Sequence, residues 1–147
     1  MFRHLLVPVD GRELTERAIT ASLELAKQLG ATVTGFVAEP LAPMPTPGRP
    51  ATLVRRDMLE QQAFSETHAR ELLDRFEAKA KDAGVPFVGR FAQVPRIAPS
   101  IIEEAEAQGC DMIVMVTHGR GAFGEFLFGS QTKAVLAGSK LPLLVLH

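Results

Sequence analysis

Cysteine is nearly absent: Cys110 is the single one in 147 residues, so no disulfide can form within the chain. That fits a reducing cytoplasm. An excess of either charge is lacking too, since sixteen basic and seventeen acidic residues leave a formal net charge of -1 at pH 7. A nucleic-acid binder working through its electrostatic field would carry a basic face, so that class is excluded. Long apolar runs are missing at the start, where "MFRHLLVPVDGRE" offers five apolar residues before Asp10 ends the run. This is neither a signal peptide nor a membrane span. The histidines at 4, 68, 118 and 147 lack metal-ligand spacing. No paired carboxylates, Ser–His–Asp set or Cys–His pair can be assigned to one pocket, so binding is expected rather than catalysis.

What is present suffices for one core. Hydrophobic residues make up 46% of the chain, and its length suits a single domain over 1–147. Apolar runs at 4–9, 32–38, 85–92, 112–116 and 141–146 read as buried strands. Helical spacing covers 13–29, 53–83, 101–108 and 130–137, with Gly30, Gly84, Gly109 and Gly138 as stops. Five prolines in "EPLAPMPTPGRPA" (39–51) exclude helix and central strand there. Segment 40–50 reads as a semi-rigid surface connection, with a lid as the alternative. Strands alternating with helices imply an α/β fold, a five-stranded parallel sheet wound doubly. Ligands of such sheets bind beyond the carboxyl ends of the strands, where Asp10, Val37 and Thr117 fall.

The densest punctuation is "THGRGAFGEFLFGS" (117–130), with four glycines. Gly119-x-Gly121-x-x-Gly124 spells a dinucleotide fingerprint, yet no acidic residue follows Glu125 to hold a ribose. "GEFLFGSQ" has the glycine spacing of a phosphate loop, but Ser130 stands where lysine is required. A neutral cradle remains: Gly129-Ser130 opens the last helix, whose free amide hydrogens suit an anion. Ser130 as a plain helix cap accounts for the same residues. Asp10 in "DGRE" reads likewise as a turn or cap residue, and Cys110 as an inert core residue. Phe123, Phe126 and Phe128 lack the basic neighbours of a stacking platform and suit packing or a subunit contact.

"HLLVPVDG" and "GCDMIVMVTHGRGAFGEFLFGSQTKAVLAGSKLPLLVL" resemble the universal stress protein family over the whole chain. The resemblance implies a Rossmann-like fold of the adenine-nucleotide alpha-hydrolase kind and a stress-response role in the cytoplasm. Members that bind ATP carry G-x2-G-x9-G-[S/T], matched here by Gly119, Gly129 and Ser130. It further implies adenine near Asp10 and Val37, with Pro8 and Met115 close by, and phosphates at Gly119, Gly129, Ser130 and the backbone of Gln131. ATP, with Mg2+ at its phosphates, is the implied ligand, and slow hydrolysis is compatible with it. A homodimer joined through the last strand, Leu141–Leu146, is implied as well. Three positions depart from the family pattern: Val116 replaces the first motif glycine, Arg12 a serine, and Pro95 a glycine. Were position 116 to need positive φ, valine would cost ~1–2 kcal/mol, roughly tenfold in affinity. If glycine there only makes room for ribose, valine acts by its bulk. Weakened binding is expected, with a nucleotide-independent dimeric scaffold as the alternative.

Overall fold

The computed structural model describes residues 1–12, 14–117 and 129–147. The elements alternate: β1 (His4–Pro8), α1 (Thr15–Leu29), β2 (Thr32–Pro40), α2 (Ala51–Ala83), β3 (Phe87–Val94), α3 (Ile97–Ala107), β4 (Met112–Val116), α4 (Ser130–Gly138) and β5 (Leu143–Leu146). All pairings are parallel, in the order β3-β2-β1-β4-β5. The chain winds outward from β1 to β3, then returns to β4 on the other side of β1. The reversal therefore falls between β1 and β4, which is where this class of sheet opens a crevice.

Strand residues alternate between two cores. Leu5, Val7, Val33, Val37 and Val114 join α1 and α2 residues such as Ile19, Leu72 and Phe76. Leu6, Phe36, Ile113 and Met115 join Ile101 and Ala105 of α3 and Val135 of α4. Both faces of the sheet are covered, which is why β1 and β4 are apolar at nearly every position.

The structure corrects several expectations. Glu39 and Pro40 belong to β2, and Ala51 to α2. Proline is tolerated at 40 because β1 stops pairing at Phe36, so beyond it β2 has only β3 as a neighbour. The third strand lies two residues later than expected, at Phe87–Val94. The third helix starts at Ile97 rather than 101. Its Pro99 falls in the first turn, where no amide hydrogen is needed. Gly138 is the last residue of α4 rather than the residue beyond it.

Gly35 shows why a glycine sits inside β2. A Cβ there would lie 2.8 Å from Phe76 Cδ1 and 2.8 Å from the Phe87 ring. Those two rings pack at 4.7 Å between centroids, directly over the glycine backbone. Helix α2 is long, about 50 Å at the usual rise. Its buried positions are Ser65, Ala69, Leu72, Phe76 and Ala80, none before Ser65. Residues 51–64 are exposed except Val54, which is half-buried.

Candidate functional site

A cleft of about 480 Å³ opens at the strand-order reversal. Its floor comes from the ends of β1 and β4, through Pro8, Val9, Met115, Val116 and Thr117. Phe36 and Ala38 of β2 and Ile97 and Ile101 of α3 give it an apolar wall, and Gly129, Ser130, Gln131 and Thr132 of α4 close one end. Among the described lining residues, Asp10 is the sole carboxylate and Arg12 the sole cation. The chamber is otherwise neutral.

Asp10 follows β1 in an exposed turn. Its Oδ1 accepts a hydrogen bond from the Arg12 amide at 2.9 Å and from Thr15 Oγ1 at 3.4 Å. The Arg12 guanidinium lies 3.5 Å from Oδ2, with both side chains largely exposed, so this ion pair contributes little. Asp10 is thus a turn residue held ready rather than a helix cap: the N-cap of α1 is Leu14.

At the other end, α4 begins after Gly129, and no side chain among the described residues caps it. Ser130 is the first helical residue, which removes the reading of Ser130 as a plain cap. The opening amides of a helix have no partners inside it and carry the positive end of its dipole. Thr117 adds an independent sign of something to be bound. It is 6% exposed, and its Oγ1 has no hydrogen-bond partner among the described residues. A buried hydroxyl without a partner costs about 1–3 kcal/mol, so a ligand or water there would relieve it.

Of the expected site residues, the structure gathers Pro8, Asp10, Met115, Val116, Gly129, Ser130 and Gln131 around this cleft. Val37 is 0% exposed and packs in the core under α1 and α2, whereas its neighbours Phe36 and Ala38 line the cleft. Gly119 lies outside the described residues, as do His118, Phe123, Phe126 and Phe128. Val116 ends β4 in extended pairing with Leu146, and no described non-glycine residue has positive φ. Backbone strain at Val116 is therefore withdrawn; valine acts here by its volume. Pro95 lies between β3 and α3 and is not among the lining residues.

Sequence reasoning placed Thr117 at the ligand-binding edge of the sheet but missed Thr15, Ile97 and Ile101. Thr117 had a signal: it directly follows β4 at the sheet's carboxyl edge. The α3 residues had none, because only the doubly wound arrangement brings that helix to the crevice. Among the described residues, no group of three or more His, Cys, Asp or Glu forms a metal site, and no helix is long and apolar enough to cross a membrane.

The sequence model of the Universal stress protein family matches residues 1–147. A universal stress protein encoded in the QAH/OAS sulfhydrylase 3' region of Thermus aquaticus is 30% identical over 151 residues, covering 100% of both chains. The universal stress protein UspA from Lactobacillus plantarum superposes with a TM-score of 0.81 at 18% identity, covering 99% of this chain and 98% of that one. The universal stress protein from Archaeoglobus fulgidus in complex with dAMP superposes at 0.62 with 17% identity, covering 100% and 98%.

Proposed function

The chain belongs to the universal stress protein family, and from that membership we propose that it binds an adenine nucleotide in the cleft between β1 and β4. ATP is the proposed ligand. The observation that carries the reading is the uncapped start of α4 opening on the same chamber as Asp10. Apolar walls from Phe36, Ala38 and Ile101 suit a flat base. Asp10 accepts from amino or hydroxyl groups at one end. Amides of Ser130 and Gln131, with the Ser130 hydroxyl, meet phosphate oxygens at the other. Each amide bond to a charged phosphate contributes about 1.5–3 kcal/mol, so a few of them reach the roughly 8 kcal/mol of a micromolar complex. No lysine is required. With one carboxylate in the cleft, Mg2+ would be held mainly by phosphate oxygens and water rather than by a protein cage. The complex of the Archaeoglobus fulgidus relative with dAMP supports an adenine nucleotide as the ligand class.

The proposal extends to a cytoplasmic homodimer that signals through its bound state, paired along β5. Among the described residues that strand's sole neighbour in the sheet is β4, which leaves it at the sheet edge. Calorimetric titration with Mg·ATP tests the central point. Micromolar to millimolar binding is expected, and no heat with no thermal shift at millimolar ATP would end it. A second reading, a nucleotide-independent dimeric scaffold, is favoured by one observation: Val116 lines the cleft at the position where the G-x2-G-x9-G-[S/T] pattern has glycine.

A further inference from the structure

His68 is absent from the cleft lining, yet its ring lies against the turn that presents Asp10. Gly11, at φ 76°, is the centre of that turn. A Cβ on Gly11 would sit 2.7 Å from both Cε1 and Nε2 of His68. The imidazole is itself fixed on its other sides. Nδ1 is 3.2 Å from Glu39 Oε1 at the end of β2, and that carboxylate's side chain is only 22% exposed. Phe64, one turn earlier on α2, stacks on the ring with planes 2° apart and centroids at 6.4 Å.

A histidine of α2, steadied by Glu39 of β2 and by Phe64, thus bears on one exposed glycine. Asp10, Gly11 and Arg12 are all exposed, so little else restrains the turn from the solvent side. Glycine passes readily between positive and negative φ, and each such change would swing the Asp10 carboxylate away from the chamber. An imidazole pressed on the glycine removes that freedom, and Glu39 keeps the imidazole in place. The extension of β2 by Glu39 and Pro40 beyond the end of β1 is what brings the carboxylate to the right height.

We propose that His68 is a positioning residue for the nucleotide site: held by Glu39, its ring pins Gly11 and so fixes the Asp10 carboxylate that faces the ligand. The part of this inference that concerns ligand affinity rests on the nucleotide reading above; the part that concerns the turn does not.

The test uses the full chain without ligand. Amide hydrogen exchange is followed at Arg12, whose N–H closes the turn onto Asp10, and at Val9, whose N–H donates to Phe36 O at 2.9 Å. In His68→Ala, Arg12 exchange should rise by about tenfold while Val9 is unchanged. Glu39→Ala, which keeps the ring but removes its anchor, should shift Arg12 in the same direction. His68→Gln, whose longer side chain places its amide near the Nε2 position against Gly11, should restore much of the protection. Unchanged Arg12 exchange in both alanine variants would overturn the proposal, whatever nucleotide does. Titration with Mg·ATP completes it, with affinity expected to fall about tenfold in His68→Ala and to recover in His68→Gln. Arg12 loosened in both alanine variants, beside a wild-type protein that takes up no nucleotide, would uphold the pinned turn and remove the proposed function instead.

Discussion

Val116 is the residue on which the proposed nucleotide affinity is expected to turn. Because it lies in a strand paired with Leu146, replacing it relieves crowding rather than strain. Val116→Gly should therefore tighten Mg·ATP binding while lowering the melting temperature. Glycine costs about 0.5–1 kcal/mol inside a strand, and the lost packing adds to it. Calorimetry and thermal melts on the same variant check both signs, and unchanged affinity would show that valine does not obstruct the ligand. Cys110 behaves differently. It is buried, and burial pushes its thiol up to about 11, with Thr34 hydrogen bonding opposing. The folded state thus favours the neutral thiol: any stability this gives is whole below the ordinary thiol range and fades as pH rises through about 11. Iodoacetamide at pH 8 should label the unfolded chain much faster than the native one. Equal rates would mean an accessible thiolate.

At the scale of elements, sequence periodicity located every strand and helix because most of them are buried on both sides or along one clear stripe. In α1 the spacing of Ala18, Ile19, Ser22 and Ala26 matches the buried face. Leu23 is buried on that face too, whereas Leu29, the last helical residue, is 40% exposed. Ends were less legible where tertiary pairing overrode local signals, as at Pro40, and where proline in a first turn hid the start of α3. In the site, residues at strand ends were readable from chain position alone. Those supplied by α3, and the His68–Glu39 contact with Gly11, were not, since they depend on elements meeting in space. Gly35 is the sharpest element-level case. Gly35→Ala should destabilise by about 1–3 kcal/mol in denaturant titration, because its methyl would meet two aromatic rings. A change under 0.5 kcal/mol, roughly the scatter of surface substitutions, would show that the rings move aside freely. The Glu16 links to Arg75 and Lys79 join α1 to α2, and the Lys79 hydrogen bond holds the Glu16 carboxyl below its usual range. That contribution is present at neutral pH and lost as acid protonates the group. All three side chains are about half exposed, so it is small.

For the molecule as a whole, the sheet order decides how copies would meet. With β5 at one edge and β3 at the other, the short apolar strand Leu143–Leu146 is the better candidate for pairing with its own kind. Val145→Lys should convert the proposed dimer to monomer in sedimentation velocity, and a wild-type chain that already sediments as monomer would remove the dimer. The sixteen residues from Ser65 to Ala80 that anchor α2 leave its first four turns with little tertiary support among the described residues, chiefly half-buried Val54 and the Arg49–Asp57 ion pair at 2.7 Å. A free helix of that length is marginal in water, so those turns persist by growing from the anchored half. The helix can consequently pay out from its leading end one turn at a time. Doing so would roughly double the ten-residue tether from Leu41 to Pro50 while both cores stay intact. The molecule carries its own reserve of slack beside the cleft, stored as helix.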